Sequence, residues 1–154
     1  MKDLQHSKER INQSVNFTGF KFDKIYPSDI DAVIEIDNEF LFLFEIKTGN
    51  NQPSSGQKYM LERIYKNWIE QGKIAYLIYC KHNTKSNEEI FLKDCIIKDV
   101  LPKDEDYLEM DVLSFFEMIA VKHQINKIIK SKEFKGIDND YFDKQSFLDG
   151  LINV

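Results

Sequence analysis

Residues 29–47 read DIDAVIEIDNEFLFLFEIK, and this stretch decides the fold. It contains two apolar runs on either side of a short polar break at Asp37 and Asn38. These two residue types tolerate the positive φ angle of a tight hairpin turn. The stretch therefore predicts an apolar β-hairpin whose open end lies at residues 29–31 and 45–47.

Charged residues mark the open end of this predicted hairpin. Asp29 and Asp31 precede the first strand, and Glu45 and Lys47 end the second. Because strand side chains alternate between faces, Glu45 and Lys47 project to one side, and so do the two aspartates. Two carboxylates and an amine would suit a divalent metal with an adjacent cation, as in a metal-dependent phosphodiesterase. Taken alone, Glu45 and Lys47 could equally form a solvated ion pair that contributes at most about 1 kcal/mol.

A helix and a second buried strand are predicted after the hairpin. Ser54 and Gln57 have the Ser-x-x-Gln spacing of a capping box at the start of a helix. The helix is expected to run to about Gln71, with Gly72 as its C-terminal stop. Residues 74–80 form a nearly continuous apolar run, which is typical of a strand buried on both faces. The strand–helix–strand order favours parallel pairing of this strand with the hairpin.

The other segments complete a small α/β domain. They are predicted as helix 3–15, a weaker strand within 90–100, helix 112–130 capped by Asp111, and a docked short helix near the end of the chain. The predicted architecture is α/β, a mixed central sheet flanked by helices. Residues 1–102 form its core, and residues 103–154 form a C-terminal helical extension packed on the same domain.

Composition limits the function classes. The 154 residues suffice for one domain, and the net charge is −5. Residues 1–102 are nearly neutral, whereas residues 103–154 carry a net charge of −4, which argues against tight, salt-driven nucleic-acid binding by the whole surface. No membrane span or signal peptide is expected. Cys80 and Cys95 lack metal or redox spacing, so we expect reduced cysteines and a cytoplasmic protein.

The spacing of the charged residues resembles a known signature. Asp31, fourteen residues before Glu45-Ile46-Lys47, resembles the PD-(D/E)xK nuclease superfamily, in which an acid precedes an acid-x-Lys triplet across a hairpin. The Ser-x-x-Gln helix start, Gly72 and the apolar strand after it look like the virus-type replication-repair nuclease branch. The text around Asp31 and Glu45 is also similar to Holliday-junction resolvases. The resemblance covers about residues 25–80.

The resemblance implies a restriction-endonuclease-like fold and a Mg²⁺- or Mn²⁺-dependent deoxyribonuclease. Such an enzyme hydrolyses DNA phosphodiester bonds by metal-activated water in DNA repair, recombination, or phage and mobile-element DNA processing. The implied catalytic residues are Asp31, Glu45, Lys47 and Gln57. The implied metal ligands are Asp31, Glu45, the backbone carbonyl of Ile46, and Glu9 of the first helix.

Several alternatives stay open at this point. The ligand is expected to be Asp31, but Asp29 also fits the signature, and Gln57 could be only a helix cap. The nucleic-acid contacts are expected from Lys58, Lys21 and Lys24, although a solvated face would have the same residues. The alternative function is a catalytically silent nuclease-like module that binds a nucleic acid or a protein partner, the latter through the acidic C-terminal segment. Homodimers are common among nucleases that cut both strands, so a homodimer also stays open.

Overall fold

The computed structural model describes residues 15–136, which fold as an α/β unit with one four-stranded mixed sheet. The strands are β1 (Ala32–Ile36), β2 (Phe40–Thr48), β3 (Ile74–His82) and β4 (Ile96–Leu101). The helices are α1 (Ser55–Ile69), α2 (Val112–Lys122) and the short α3 (Asn126–Ile129). Short 3₁₀ turns occupy Leu92–Asp94 and Glu105–Tyr107. Most of the predicted helix 3–15, including Glu9, and the predicted last helix lie outside the described residues.

The predicted hairpin is confirmed. β1 and β2 pair antiparallel, with Ala32 opposite Phe44 and Ile36 opposite Phe40. Asp37 and Asn38 have φ values of 54° and 58°, a left-handed backbone that suits a tight turn, and with Glu39 they form the three residues that connect Ile36 to Phe40. The turn therefore sets a register in which Asp31, one residue before β1, faces Glu45.

The predicted parallel pairing is also confirmed. β2 pairs parallel with β3 along their whole lengths, and α1 forms the crossover between them. β4 pairs antiparallel with β3, so the sheet order is β1-β2-β3-β4. The register of β3 and β4 shifts by one residue beside Tyr79 and Cys80. Because such a bulge leaves one strand residue unpaired, it re-aims side chains at this end of the sheet.

Both faces of the sheet are covered, which explains the continuous apolar run in β2. Phe42 and Phe44 pack with α2 residues on one face, and Leu41 and Leu43 pack with Leu61 of α1 on the other. α2 thus shares a core with β2, although it lies beyond residue 102. Glu45 continues the α1-facing alternation and is the one charged residue in the buried part of β2.

The C-terminal elements differ from the prediction in their bounds. The strand predicted within 90–100 begins only at Ile96, after a 3₁₀ turn. Helix α2 is capped by Asp111 as predicted, but it ends at Lys122 and does not continue to residue 130. Gln124 adopts a φ of 53°, and the N–H of Ile125 donates to the carbonyl of Ala120 at 2.8 Å. This is a Schellman ending formed without glycine, so no local signal marked it.

Within residues 15–136, no helix has both the length and the apolar character needed to cross a membrane.

Candidate active site

The open end of the hairpin lies beside the end of β3, and four side chains form a row across the sheet there. Glu45 of β2 is the register partner of Tyr79 of β3, and Tyr79 is the partner of Asp99 of β4. On the other side of β2, Asp31 lies one pair beyond the last pair of the hairpin and so faces Glu45. The register of the sheet therefore collects Asp31, Glu45, Tyr79 and Asp99 from four separate segments.

Asp31 is held against β2 by a backbone contact. Its Oδ2 atom accepts a hydrogen bond from the N–H of Ile46 at 2.7 Å, while the residue itself is exposed. The N–H and C=O of a strand residue point to the same side, so the carbonyl of Ile46 also points toward Asp31 and not toward β3. Asp29, by contrast, contributes its backbone carbonyl, which accepts from Gln57 at 3.4 Å. The contacts thus favour Asp31 over Asp29 as the carboxylate beside Glu45.

Glu45 is a buried carboxylate with unused hydrogen-bonding capacity. Its exposure is 1%, and its Oε1 lies 2.6 Å from Lys47 Nζ as an ion pair. Neither carboxylate oxygen has a hydrogen bond of good geometry within the described residues. Burial raises the pKa of Glu45; the Lys47 ammonium partly opposes this, and the nearby Asp31 carboxylate adds to it. Desolvation is therefore the main influence on this carboxyl group, which needs further polar partners.

Lys47 connects this carboxylate to helix α1. Its ammonium lies within 3.3 Å of Gln57 Oε1, and its side chain is 28% exposed. Ser54 caps α1 as predicted, because its hydroxyl accepts from the N–H of Gln57 at 3.2 Å. The reciprocal half of the predicted capping box is not formed: the Gln57 amide bonds Lys47 and the Asp29 carbonyl. Gln57 therefore does more than take part in the cap, since it joins α1 to the end of β2 and to the segment before β1.

A cavity of about 470 Å³ opens over this end of the sheet. It is lined by Glu45 and Lys47 of β2, by Tyr79 and Lys81 of β3, by Lys98 and Asp99 of β4, and by the first turn of α1 with its preceding loop. Four lysines and two acids face it, so the cavity is more basic than the chain as a whole. A polar, positively charged cleft of this kind suits an anionic ligand.

Of the three lysines that were predicted to contact nucleic acid, one lines the cavity and two do not. Lys58, on the first turn of α1, lines the cavity and is exposed. Lys21 and Lys24 are exposed as well, but they do not line the cavity. Of the predicted nucleic-acid contacts, the structure therefore brings Lys58 to the site, but not Lys21 or Lys24.

Sequence reasoning missed Tyr79, Lys98 and Asp99 as lining residues. A signal for Tyr79 was present, because the predicted parallel pairing places Tyr79-Cys80-Lys81 alongside Glu45-Ile46-Lys47. Aligning the two strands by their apolar runs would have paired them. Asp99 depends on the pairing of β3 with β4, and Lys98 depends on the bulge next to it, for which the sequence has no marker.

The oxygen atoms at the open end of the hairpin meet some of the requirements of a divalent-cation site. Within residues 15–136, no group of three or more His, Cys, Asp or Glu side chains is arranged to hold a metal ion. Two carboxylates, of Asp31 and Glu45, and the carbonyl of Ile46 nevertheless meet at the hairpin end, and hard cations prefer oxygen ligands of this kind. The carboxylate oxygens of Glu45 lack a hydrogen bond of good geometry, and only Oε1 is in an ion pair, with Lys47, so this carboxylate has the capacity that a cation ligand requires. Mg²⁺ commonly keeps several waters, so two carboxylates suffice for it.

Comparison with known proteins adds no family assignment. No protein-family model, curated protein or solved structure matches this chain.

Proposed function

We propose that this protein is a metal-dependent nuclease of the PD-(D/E)xK type that hydrolyses DNA phosphodiester bonds. The single observation that supports this is the convergence of Asp31, Glu45 and Lys47 at the open end of the hairpin, where Gln57 of α1 contacts Lys47. Of these residues, Glu45 and Lys47 line the cavity, whereas Asp31 lies beside it. The proposed setting is cytoplasmic DNA repair, recombination, or processing of phage or mobile-element DNA.

In this proposal Asp31, Glu45 and the Ile46 carbonyl hold Mg²⁺ or Mn²⁺. A bound cation of this kind supplies Lewis-acid polarisation of a phosphate and acidifies water at neutral pH. The buried position of Glu45 excludes bulk water from its carboxylate, which strengthens its interaction with any nearby positive charge. The N–H of Ile46 fixes the Asp31 side chain, so this carboxylate is oriented before a ligand arrives.

Lys47 acts on the substrate in this scheme. Its ammonium, next to Glu45, orients the attacking water and offsets the negative charge that develops on the phosphate in the transition state. The oxygen of that water bonds to phosphorus and releases a proton to solvent. The bond from phosphorus to the 3′-oxygen breaks, and this oxygen takes a proton from solvent, which leaves a 5′-phosphate and a 3′-hydroxyl. Gln57 accepts from Lys47, so it is a positioning residue that limits the rotamers of the ammonium.

A cleavage assay tests the proposed function. Linear, single-stranded, nicked and branched DNA are incubated with the full chain and Mn²⁺ or Mg²⁺. We expect cleavage of at least one of these substrates, and a loss of about 100-fold or more in rate for Asp31→Ala and Lys47→Ala, as is typical when a group that stabilises transition-state charge is removed.

Asp106→Ala and Lys122→Ala are the matched controls for this assay. Both residues are exposed, and neither lines the cavity. They should cut at the parental rate. Equal cleavage by the parent, Asp31→Ala and Lys47→Ala would mean that the activity belongs to a different site.

A second candidate is a catalytically silent module that binds a protein or nucleic-acid partner. It is favoured by the absence of a three-residue metal group within the described part of the chain. Metal titration separates the two candidates, because a ligand that binds only the native state raises its melting temperature. A rise in Tm with millimolar Mn²⁺ that Asp31→Ala abolishes supports the nuclease. An unchanged Tm at every concentration, together with no cleavage, supports the module.

A further inference from the structure

Within the described residues, the buried side-chain polar atoms that lack a hydrogen bond lie at one end of the sheet. Within the described residues, the side-chain atoms that are buried and lack a hydrogen bond are the two carboxylate oxygens of Glu45 and the hydroxyl of Tyr79. Buried polar groups are normally satisfied, so each exception requires an explanation. The proposed metal site accounts for the oxygens of Glu45, but not for the hydroxyl of Tyr79, which is a donor.

Tyr79 is a neutral donor at the wall of the cavity. Burial raises its pKa to about 12, with smaller contributions from Glu62, Asp99 and Glu45. The phenol therefore keeps its proton at neutral pH and can donate it to an acceptor. Its position on the α1-facing side of β3, in register with Glu45, directs it to the same cavity.

Lys81 is the second unexplained group. It is the register partner of Lys47, and the alternation of strand side chains places both on the α1 side of the sheet. Like charges directly opposite each other on neighbouring strands are destabilising. Lys47 is compensated by Glu45, whereas Lys81 has no ion pair among the residues that the structure describes. A pair of lysines in this arrangement is explained by an anion that binds between or beside them.

Two of the other charged side chains that line the cavity are paired, so the cavity keeps a net positive charge. Asp99 is paired with Lys103 at 2.6 Å, and Lys98 is paired with Glu109 at 2.8 Å. Lys58 is the other lining lysine that has no ion pair within the described residues. The first turn of α1, which also lines the cavity, contains no acidic residue, so the positive end of the helix dipole is not neutralised there.

We propose that Tyr79 and Lys81 form a phosphate-binding subsite beside Glu45 and Lys47, and that this subsite holds a phosphate of a nucleic-acid strand. The hydroxyl of Tyr79 donates to one non-bridging oxygen, and the ammonium of Lys81 neutralises the charge. That the phosphate belongs to a nucleic acid rests on the proposed nuclease function. The subsite itself requires only a phosphate.

Thermal unfolding of the full chain in EDTA tests the subsite, with inorganic phosphate as the probe and chloride at matched ionic strength as the blank. Phosphate should raise the Tm of the parent. Tyr79→Phe should unfold at a higher Tm than the parent without phosphate, because it removes a buried donor that has no partner. It should bind phosphate about tenfold more weakly, the loss expected for one hydrogen bond to a charged group. Lys81→Gln should also bind phosphate more weakly.

Two controls match these variants. Tyr76→Phe alters the preceding tyrosine of β3, which is buried on the other face of the sheet and whose hydroxyl is hydrogen-bonded to His123 Nε2 at 2.8 Å. It should lower the Tm and keep the phosphate response. Lys122→Gln on α2 should change neither. A parent without a phosphate response, or a Tyr79→Phe variant with a lowered Tm and a full response, would overturn the subsite.

The outcome is distinguishable from that of the nuclease proposal. If phosphate binding depends on Tyr79 and Lys81 but no DNA is cut, the subsite stands and the nuclease fails. Binding of a 5′-phosphorylated single-stranded oligonucleotide, weakened by the same two substitutions, then shows whether the phosphate comes from a nucleic acid. If DNA is cut with dependence on Lys47 while Tyr79→Phe and Lys81→Gln keep the parental KM and phosphate response, the nuclease stands and the subsite is wrong.

Discussion

Glu45 illustrates a trade-off between folding stability and function at a single residue. Its carboxylate is buried beside Lys47, yet its oxygens lack hydrogen bonds, and burial raises its pKa. A charged group in this position is retained at a cost in folding free energy, which is typical of functional sites. Asp31, in contrast, is exposed and bonded to the backbone. The two acids of the motif therefore have different environments, and the raised pKa of Glu45 makes the stability of the fold depend on pH.

Glu45→Gln should stabilise the protein at neutral pH. The folded-state pKa of Glu45 is raised above the ordinary value of 4.5, so its stabilising contribution is fully present below 4.5 and is lost as the pH rises through the folded-state pKa. The difference in unfolding free energy between variant and parent should grow over that window and then stay constant. Urea unfolding at a series of pH values measures it. A variant that is less stable than the parent at pH 7 would contradict the prediction.

The same variant should lose its response to divalent cations. Gln keeps the shape of Glu but removes the negative charge that a hard cation requires. Asp106→Asn, at an exposed position away from the cavity, is the matched control and should behave as the parent does. Gain of stability together with loss of metal response would be the signature of a residue kept for function.

Helix α1 is the element that links fold and site. Its apolar face packs on β2 and β3 through Leu61 and Tyr65, and its N-terminus meets the cavity. Ser54 caps the helix by accepting a hydrogen bond from the N–H of Gln57, so the cap also fixes the backbone that carries the Gln57 side chain. The position of Lys47 thus depends on a helix start that is ten residues away in sequence.

Ser54→Ala should lower both stability and activity. Loss of an N-cap side chain costs about 1 kcal/mol. If the first turn frays, the contact between Gln57 and Lys47 loosens and the proposed cleavage rate falls. Ser86→Ala, at an exposed position outside the cavity, should have little effect on either. Chemical unfolding and the cleavage assay measure the two effects. A stability loss with an unchanged rate would show that Gln57 does not position Lys47 during catalysis.

At the scale of the whole molecule, charge is distributed unevenly. The net charge is −5, yet the cavity is lined by Lys47, Lys58, Lys81 and Lys98. The acidic remainder of the surface disfavours non-specific adhesion to nucleic acid, whereas the cavity attracts it locally. Nucleic-acid binding should therefore involve few phosphates and depend less steeply on salt than binding through a broad basic surface.

Salt dependence of DNA affinity tests this distribution. Each phosphate that a lysine neutralises contributes a slope of roughly −0.9 in log affinity against log salt for duplex DNA. Four lining lysines predict a slope no steeper than about −4. Lys58→Gln should make the slope shallower by about 1, and Lys24→Gln, outside the cavity, should leave it unchanged. Fluorescence anisotropy measures both, and a steeper parental slope would indicate a broader interface.

Local sequence signals determined much of this fold. The Asp37-Asn38 turn, the Ser54 cap, the Asp111 cap and the buried runs of β2 and β3 were all predicted, because each depends on residues within a few positions. The signature of Asp31, Glu45 and Lys47 was also local, since one hairpin brings these residues together. Their proposed chemistry stays a prediction, and the contribution of Glu9 lies outside the described residues.

Only the tertiary structure decided what surrounds that signature. The parallel register places Tyr79 and Lys81 beside Glu45 and Lys47, and the antiparallel pairing of β3 with β4 adds Asp99. Gln57 bonds Lys47 and Asp29 because the packing of α1 brings them within reach, although its spacing from Ser54 predicted only a cap. Register and packing depend on contacts between residues far apart in sequence. For that reason the hairpin could be predicted from its own residues, whereas the cavity beside it could not.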